Sequence, residues 1–151
     1  GKARLDILVE NTARVNFGKF IGEERAGITN EVTLGGKALS GWETYPLPMT
    51  DLSSLKFSTT PCEGACFYRG DFDLTETADT FLDTSEFTKG ALWLNGHALG
   101  RIWDIGPQKT LYAPGPWLAK GKNELVVFDT QGKMGASVRG LDKPVLNWTG
   151  R

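Results

Sequence analysis

At 151 residues the chain is long enough for one domain with a real core and too short for two comfortable ones. Its 17 basic and 18 acidic residues are interspersed, so no basic stripe exists to neutralise a phosphate backbone, and nucleic acid is disfavoured as a partner. No apolar run approaches the length that spans a bilayer, and the opening GKARLDILVEN has no signal-peptide pattern, so no membrane partner is expected.

Leu5, Ile7 and Val9 alternate with Asp6 and Glu10, a period of two that predicts a strand with one buried face. A long loop is expected from Phe17 to Asn30. Glu31–Leu34 then runs into Gly35-Gly36, a pair that readily takes positive φ and makes a hairpin turn. A second long loop covers Thr44 to Gly64. Cys66–Leu74 alternates again, with Tyr68, Phe72 and Leu74 on one face and Arg69, Asp71 and Asp73 on the other. Thr80–Leu82 is a short strand, and Thr84–Lys89 is read as about a turn of helix. Ala91–Asn95 and Leu99–Trp103 flank the Asn95-Gly96 turn signal. Thr110–Ala113 and Leu125–Asp129 complete the strands, with a second helical turn at Pro116–Lys120. The run Leu125–Phe128 is apolar on both faces, as in a central strand covered on each side. There is no heptad, repeat or low-complexity tract. The 19 glycines and 7 prolines fall mostly between the short apolar runs. About eight short strands separated by turn signals predict a β-sandwich or a jelly roll, one domain over 1–151.

Chemistry is sparse. No G-x-S-x-G elbow, phosphate loop or H-E-x-x-H occurs, and no catalytic residue is expected. His97, the single histidine, sits beside Asn95-Gly96, the place of a solvated turn residue rather than a base. A glycosidase needs two carboxylates about 5 to 10 Å apart across a cleft. Asp71, Asp73, Asp79, Asp83 and Glu86 form an acidic stretch, but their spacing selects no pair, and they read as solvated face residues. No cofactor or metal is expected; a structural calcium on some of these oxygens is the one exception their chemistry allows. Cys62 and Cys66 lack the further ligands of a zinc site. A disulfide between them requires Cα atoms within about 7 Å and would suit an oxidising compartment. Two reduced thiols in a turn fit the sequence equally well.

The aromatic residues are more informative. Trp42, Tyr45, Trp93, Trp103, Tyr112, Trp117 and Trp148 exceed what an aliphatic core requires. Sugar sites present an indole or phenol face to the apolar face of a pyranose, with amides and guanidinium groups for the hydroxyls. Trp42, Tyr45, Arg101, Trp103, Gln108 and Tyr112 are the candidate carbohydrate-binding residues on that logic. Filling the core, or packing on a neighbouring domain, is the plainer use for these rings. Alternation places Arg101 and Trp103 on one face, opposite Ile102, and an arginine there marks a surface rather than the deepest core.

Taken in order, LDILVEN (5–11), RVNFG (14–18), GWETYPLPM (41–49), FYRGDF (67–72), DTFLD (79–83), KGALWLNGHALGRIWDIGPQKTLYAPGPWL (89–118) and GKNELVVFD (121–129) closely resemble the C-terminal β-domain of glycoside hydrolase family 35 β-galactosidases. The tail RGLDKPVL (139–146) is similar to endings in some bacterial members. The family usually carries an aromatic residue where Ile102 stands and often Trp where Phe87 stands. The resemblance implies a galactose-binding-like jelly roll, and a parent that removes terminal β-galactosyl residues with retention, using two glutamates of a separate barrel. It therefore implies a non-catalytic accessory domain. Its partners would be that barrel and a neighbouring β-domain, and it would stabilise the enzyme and shape substrate access. The alternative is a carbohydrate-binding module for galactose-containing glycans. The parent is expected to be secreted or periplasmic. Asn147-Trp148-Thr149 matches a glycosylation acceptor.

Overall fold

The computed structural model describes residues 2–11, 15–132 and 135–146. Trp148, the acceptor pattern at 147–149 and Arg14 lie outside the described residues. One domain is expected from the sequence; the chain instead divides into two compact units, Gly1–Leu47 and Pro48–Arg151.

The first unit carries little regular structure. Thr33–Leu34 (β1) and Lys37–Ala38 (β2) form a hairpin around Gly35 and Gly36, whose φ values of 56° and 77° are the left-handed geometry that glycine supplies without strain. The Leu39 amide donates to Val32 O at 2.8 Å and extends the pairing. Leu5–Val9 alternates as clearly as any segment of the chain, yet no ladder forms there among the described residues. Alternation selects a face, but a strand also needs a neighbour to accept its backbone hydrogen bonds.

The second unit is an all-β sandwich. Cys66–Leu74 (β3), Thr80–Asp83 (β4), Lys89–Leu94 (β5), His97–Trp103 (β6), Thr110–Ala113 (β7), Gly121–Asp129 (β8) and Arg139–Leu141 (β9) make two antiparallel sheets. One is four-stranded with order β3-β8-β5-β6, and the other is three-stranded with order β7-β4-β9. Leu92, Leu94, Ile102, Leu125 and Val127 from the first sheet meet Leu82, Leu111 and Ala113 from the second, with Phe87 beside them. The strand residues among them occupy the inward positions that the period of two assigns, and with Phe87 from the β4–β5 turn they make one contiguous core. β8 is the central strand that its apolar run predicts: Val126 on the outward face is as buried as Leu125 and Val127.

Two local expectations change. Thr84–Lys89 is a turn closed by Phe87 N donating to Thr84 O at 3.0 Å, not a helix, because Thr84 continues the sheet through its own amide bond to Lys109 O at 3.0 Å. Pro116–Lys120 contracts to a single 3₁₀ turn, Gly115–Trp117, which the following β8 leaves no room to extend.

Candidate functional site

The β5–β6 hairpin turns at Asn95 and Gly96, with φ of 48° and 80°, the doubly left-handed turn that Asn-Gly favours. Asn95 does more than turn the chain. Its Nδ2 donates to Trp117 O and to Asn123 Oδ1, each at 2.8 Å, and its Oδ1 accepts the Glu124 amide at 2.8 Å. Asn123, itself buried, returns hydrogen bonds to Ala119 and Gly121. His97 stacks on Trp117 with ring centroids 4.5 Å apart and planes 18° from parallel. The sole histidine therefore has a packing role at the hairpin tip. Leu99 is the extra residue of a bulge in β6, since Leu92 faces Gly100 while Trp93 faces Ala98. Gly100, at φ 141°, serves that bulge.

Beyond the bulge, Arg101 and Trp103 share the outward face of β6, opposite the buried Ile102. The Arg101 guanidinium lies 5.2 Å and the Lys89 ammonium 5.1 Å from the Trp103 ring centroid. Gln108 is exposed and its amide is held by its own loop, Nε2 donating to Thr110 O at 2.9 Å, while its backbone forms an isolated antiparallel bridge with Leu146. Tyr112 stands on the outward face of the other sheet. Its hydroxyl donates to Asp79 Oδ2 at 2.7 Å, and its ring lies 5.6 Å from Phe81, its cross-strand partner. Arg101 and Trp103 thus lie on one outer face of the sandwich and Tyr112 on the other, so these candidates do not converge. Trp42 and Tyr45 belong to the first unit, half to two-thirds exposed; Trp42 Nε1 donates to Leu39 O at 3.3 Å, and the Tyr45 hydroxyl donates to Glu43.

The acidic stretch is dispersed into separate partnerships. Asp71 pairs with Lys122 at 3.0 Å. The Tyr112 hydroxyl, together with the Gly115 amide, holds the Asp79 carboxyl below its ordinary range, and Asp79 in return pushes the Tyr112 phenol up. Ser85, with Arg139 assisting at 3.3 Å, lowers Asp83. Glu86 accepts the Ser137 amide at 2.9 Å. Among the described residues no group of three or more His, Cys, Asp or Glu is arranged to hold a metal ion. Cys62 and Cys66 are joined in a disulfide with Cα atoms 6.3 Å apart. The sequence reading missed Asp79 and Phe81 as the supports of Tyr112, and Lys89 as a neighbour of Trp103; only cross-strand register reveals them.

Residues 65–123 match the beta-galactosidase galactose-binding domain, and residues 1–48 match the beta-galactosidase first all-beta domain. The chain belongs to the β-domains of the β-galactosidase family. The boundary between the two matches falls where the two structural units meet in sequence. Among relatives, a beta-galactosidase of Xanthomonas manihotis is 42% identical over 113 residues, covering 74% of this chain and 19% of its own length. Beta-galactosidase-1-like protein 2 of Homo sapiens is 40% identical over 138 residues, covering 85% of this chain and 22% of its own. Beta-galactosidase-1-like protein 3 of Homo sapiens is 39% identical over 150 residues, covering 94% and 23%. The chain spans about a fifth of the length of these β-galactosidase relatives.

Proposed function

We propose that this chain is a non-catalytic accessory region of a retaining exo-β-galactosidase, and that it stabilises the enzyme by packing against the catalytic barrel and neighbouring β-structure. One observation carries the reading: in residues 2–47 large apolar side chains stand exposed, among them Leu5, Ile7, Val9, Phe17, Phe20 and Ile21, with Phe17 at 89%. Apolar exposure on this scale marks a surface that another surface covers. The match of the same residues to the first all-beta domain of β-galactosidases supports parent β-structure as that cover. The test replaces Leu5, Ile7 and Val9 together by Ser. In the whole enzyme the melting temperature should fall while turnover at low temperature is retained; an unchanged melting temperature rejects the stabilising role. The chain alone should show no hydrolysis of a nitrophenyl β-galactoside.

A second reading, binding of galactose-containing glycans, is favoured by one feature. Tyr112 is half exposed and its ring is held in place by Asp79 and Phe81, an arrangement suited to stacking on a pyranose. Titration with galactose, lactose and galactan, followed by NMR, decides it. Shifts confined to the β4–β7 face support binding, and none at concentrations far above millimolar end it.

A further inference from the structure

The sandwich is closed on one side and open on the other. β3 pairs along all nine of its residues with β8, but among the described residues nothing pairs with its other edge. The edge of the opposing sheet is β9, only three residues long. Between these two edges lies a cavity of about 720 Å³, floored by Phe72, Leu82, Phe87, Leu118, Leu125 and Val127. Gly70 occupies an inward position of β3 between Tyr68 and Phe72, and a Cβ added there meets nothing within 4 Å. A core with this volume unfilled and a free edge of this length beside it lacks one layer of side chains and one row of backbone partners.

We propose that this opening receives an additional β-strand, paired along the free edge of β3 and supplied by the parent β-galactosidase polypeptide from outside residues 1–151. The inference rests on the accessory role proposed above and names the element through which part of it is exercised. A strand meets both deficits at once. Its backbone satisfies the outward N–H and C=O groups of β3, and its alternate side chains fill the space over Gly70. A sugar does not, because it has no continuous row of N–H and C=O groups to pair with the edge of β3, although Arg69, Asp71, Glu76, Ser137 and Asp142 line the cavity beside its apolar floor. The relatives are about four times as long as this chain, ample sequence to supply a strand. Arg69, Asp71 and Asp73 lie on the outer face of β3, with Asp71 already paired to Lys122, so the incoming strand should carry apolar residues inward and polar residues of either charge outward.

Hydrogen exchange tests the proposal on the 151-residue chain and on the whole enzyme. The alternate β3 amides that do not bond to β8 should exchange at least about a hundredfold more slowly in the whole enzyme, with β8 itself as the protected reference. Equal exchange in both overturns the strand. Gly70→Leu gives a second readout of opposite sign: it should raise the melting temperature of the isolated chain by filling empty space, and lower that of the enzyme by colliding with the strand. The same direction of change in both, or no change in either, overturns it. A gene encoding nothing beyond these residues overturns it as well. Slowed exchange in residues 2–47 without slowing in β3 rejects the strand while leaving the accessory role standing; no slowing in either rejects both.

Discussion

A methyl group added at Gly90 would overlap the carbonyl oxygen of Phe128, whereas one added at Gly70 would enter open space. Both are strand glycines and look alike in sequence, so their substitutions separate packing from propensity. Gly90→Ala should cost about 3 kcal/mol or more, because backbone on a central strand has no cheap way to move aside. Gly70→Ala should be neutral or stabilise by up to about 1 kcal/mol. Urea denaturation with an unchanged slope measures both. Asn95 offers a second contrast. Asn95→Ala removes three side-chain hydrogen bonds and leaves a non-glycine residue at positive φ, for an expected loss of about 2 to 4 kcal/mol. Asn95→Gly keeps the turn geometry and should recover about 1 kcal/mol of that, so equal losses in the two variants would show that strain plays no part.

At the scale of elements, the three-stranded sheet carries carboxylates whose hydrogen bonds are made only when folded. Asp79 and Asp83 are both lowered in the fold, by Tyr112 and by Ser85 respectively. Their stabilisation is therefore fully present above the ordinary carboxylate pKa of about 4, and it is lost as pH falls through the depressed folded values. Thermal melts taken downward from pH 6 should show this decline, and Asp83→Asn should make the acid limb shallower. A variant with the parent's slope would remove Asp83 from the account. The elements also show what local sequence can and cannot specify. The β5–β6 hairpin was legible because Asn95-Gly96 fixes both turn and register, and β3 because its alternation is long. Leu5–Val9 alternates just as well but forms no strand among the described residues, since alternation names a face and leaves the hydrogen-bonding partner unspecified. The shared face of Arg101 and Trp103 followed from alternation too. The support of Tyr112 by Phe81 and Asp79 did not, because the β4–β7 register spans some thirty residues of intervening chain, and no local pattern encodes it.

For the molecule as a whole, the buried cluster is drawn entirely from residues 68–138, so the second unit contains its own core. A chain of residues 48–151 should keep a cooperative melt within a few degrees of that of the full chain. It should also lose most of the fluorescence that anilinonaphthalene sulfonate gains from the exposed apolar residues of 2–47. Loss of cooperativity on truncation would show that the first unit is needed to complete that core. The antiparallel ladder between β3 and β8 joins Cys66 to Asp129 and Leu74 to Gly121. A ribosome therefore delivers β3 about fifty residues before the strand that pairs with it. No sandwich can close until β8 has left the exit tunnel, and through that interval the first unit and β3 both stand exposed. The nascent chain must wait on its own far end, which makes the pace of translation and the presence of a chaperone part of how this fold is reached.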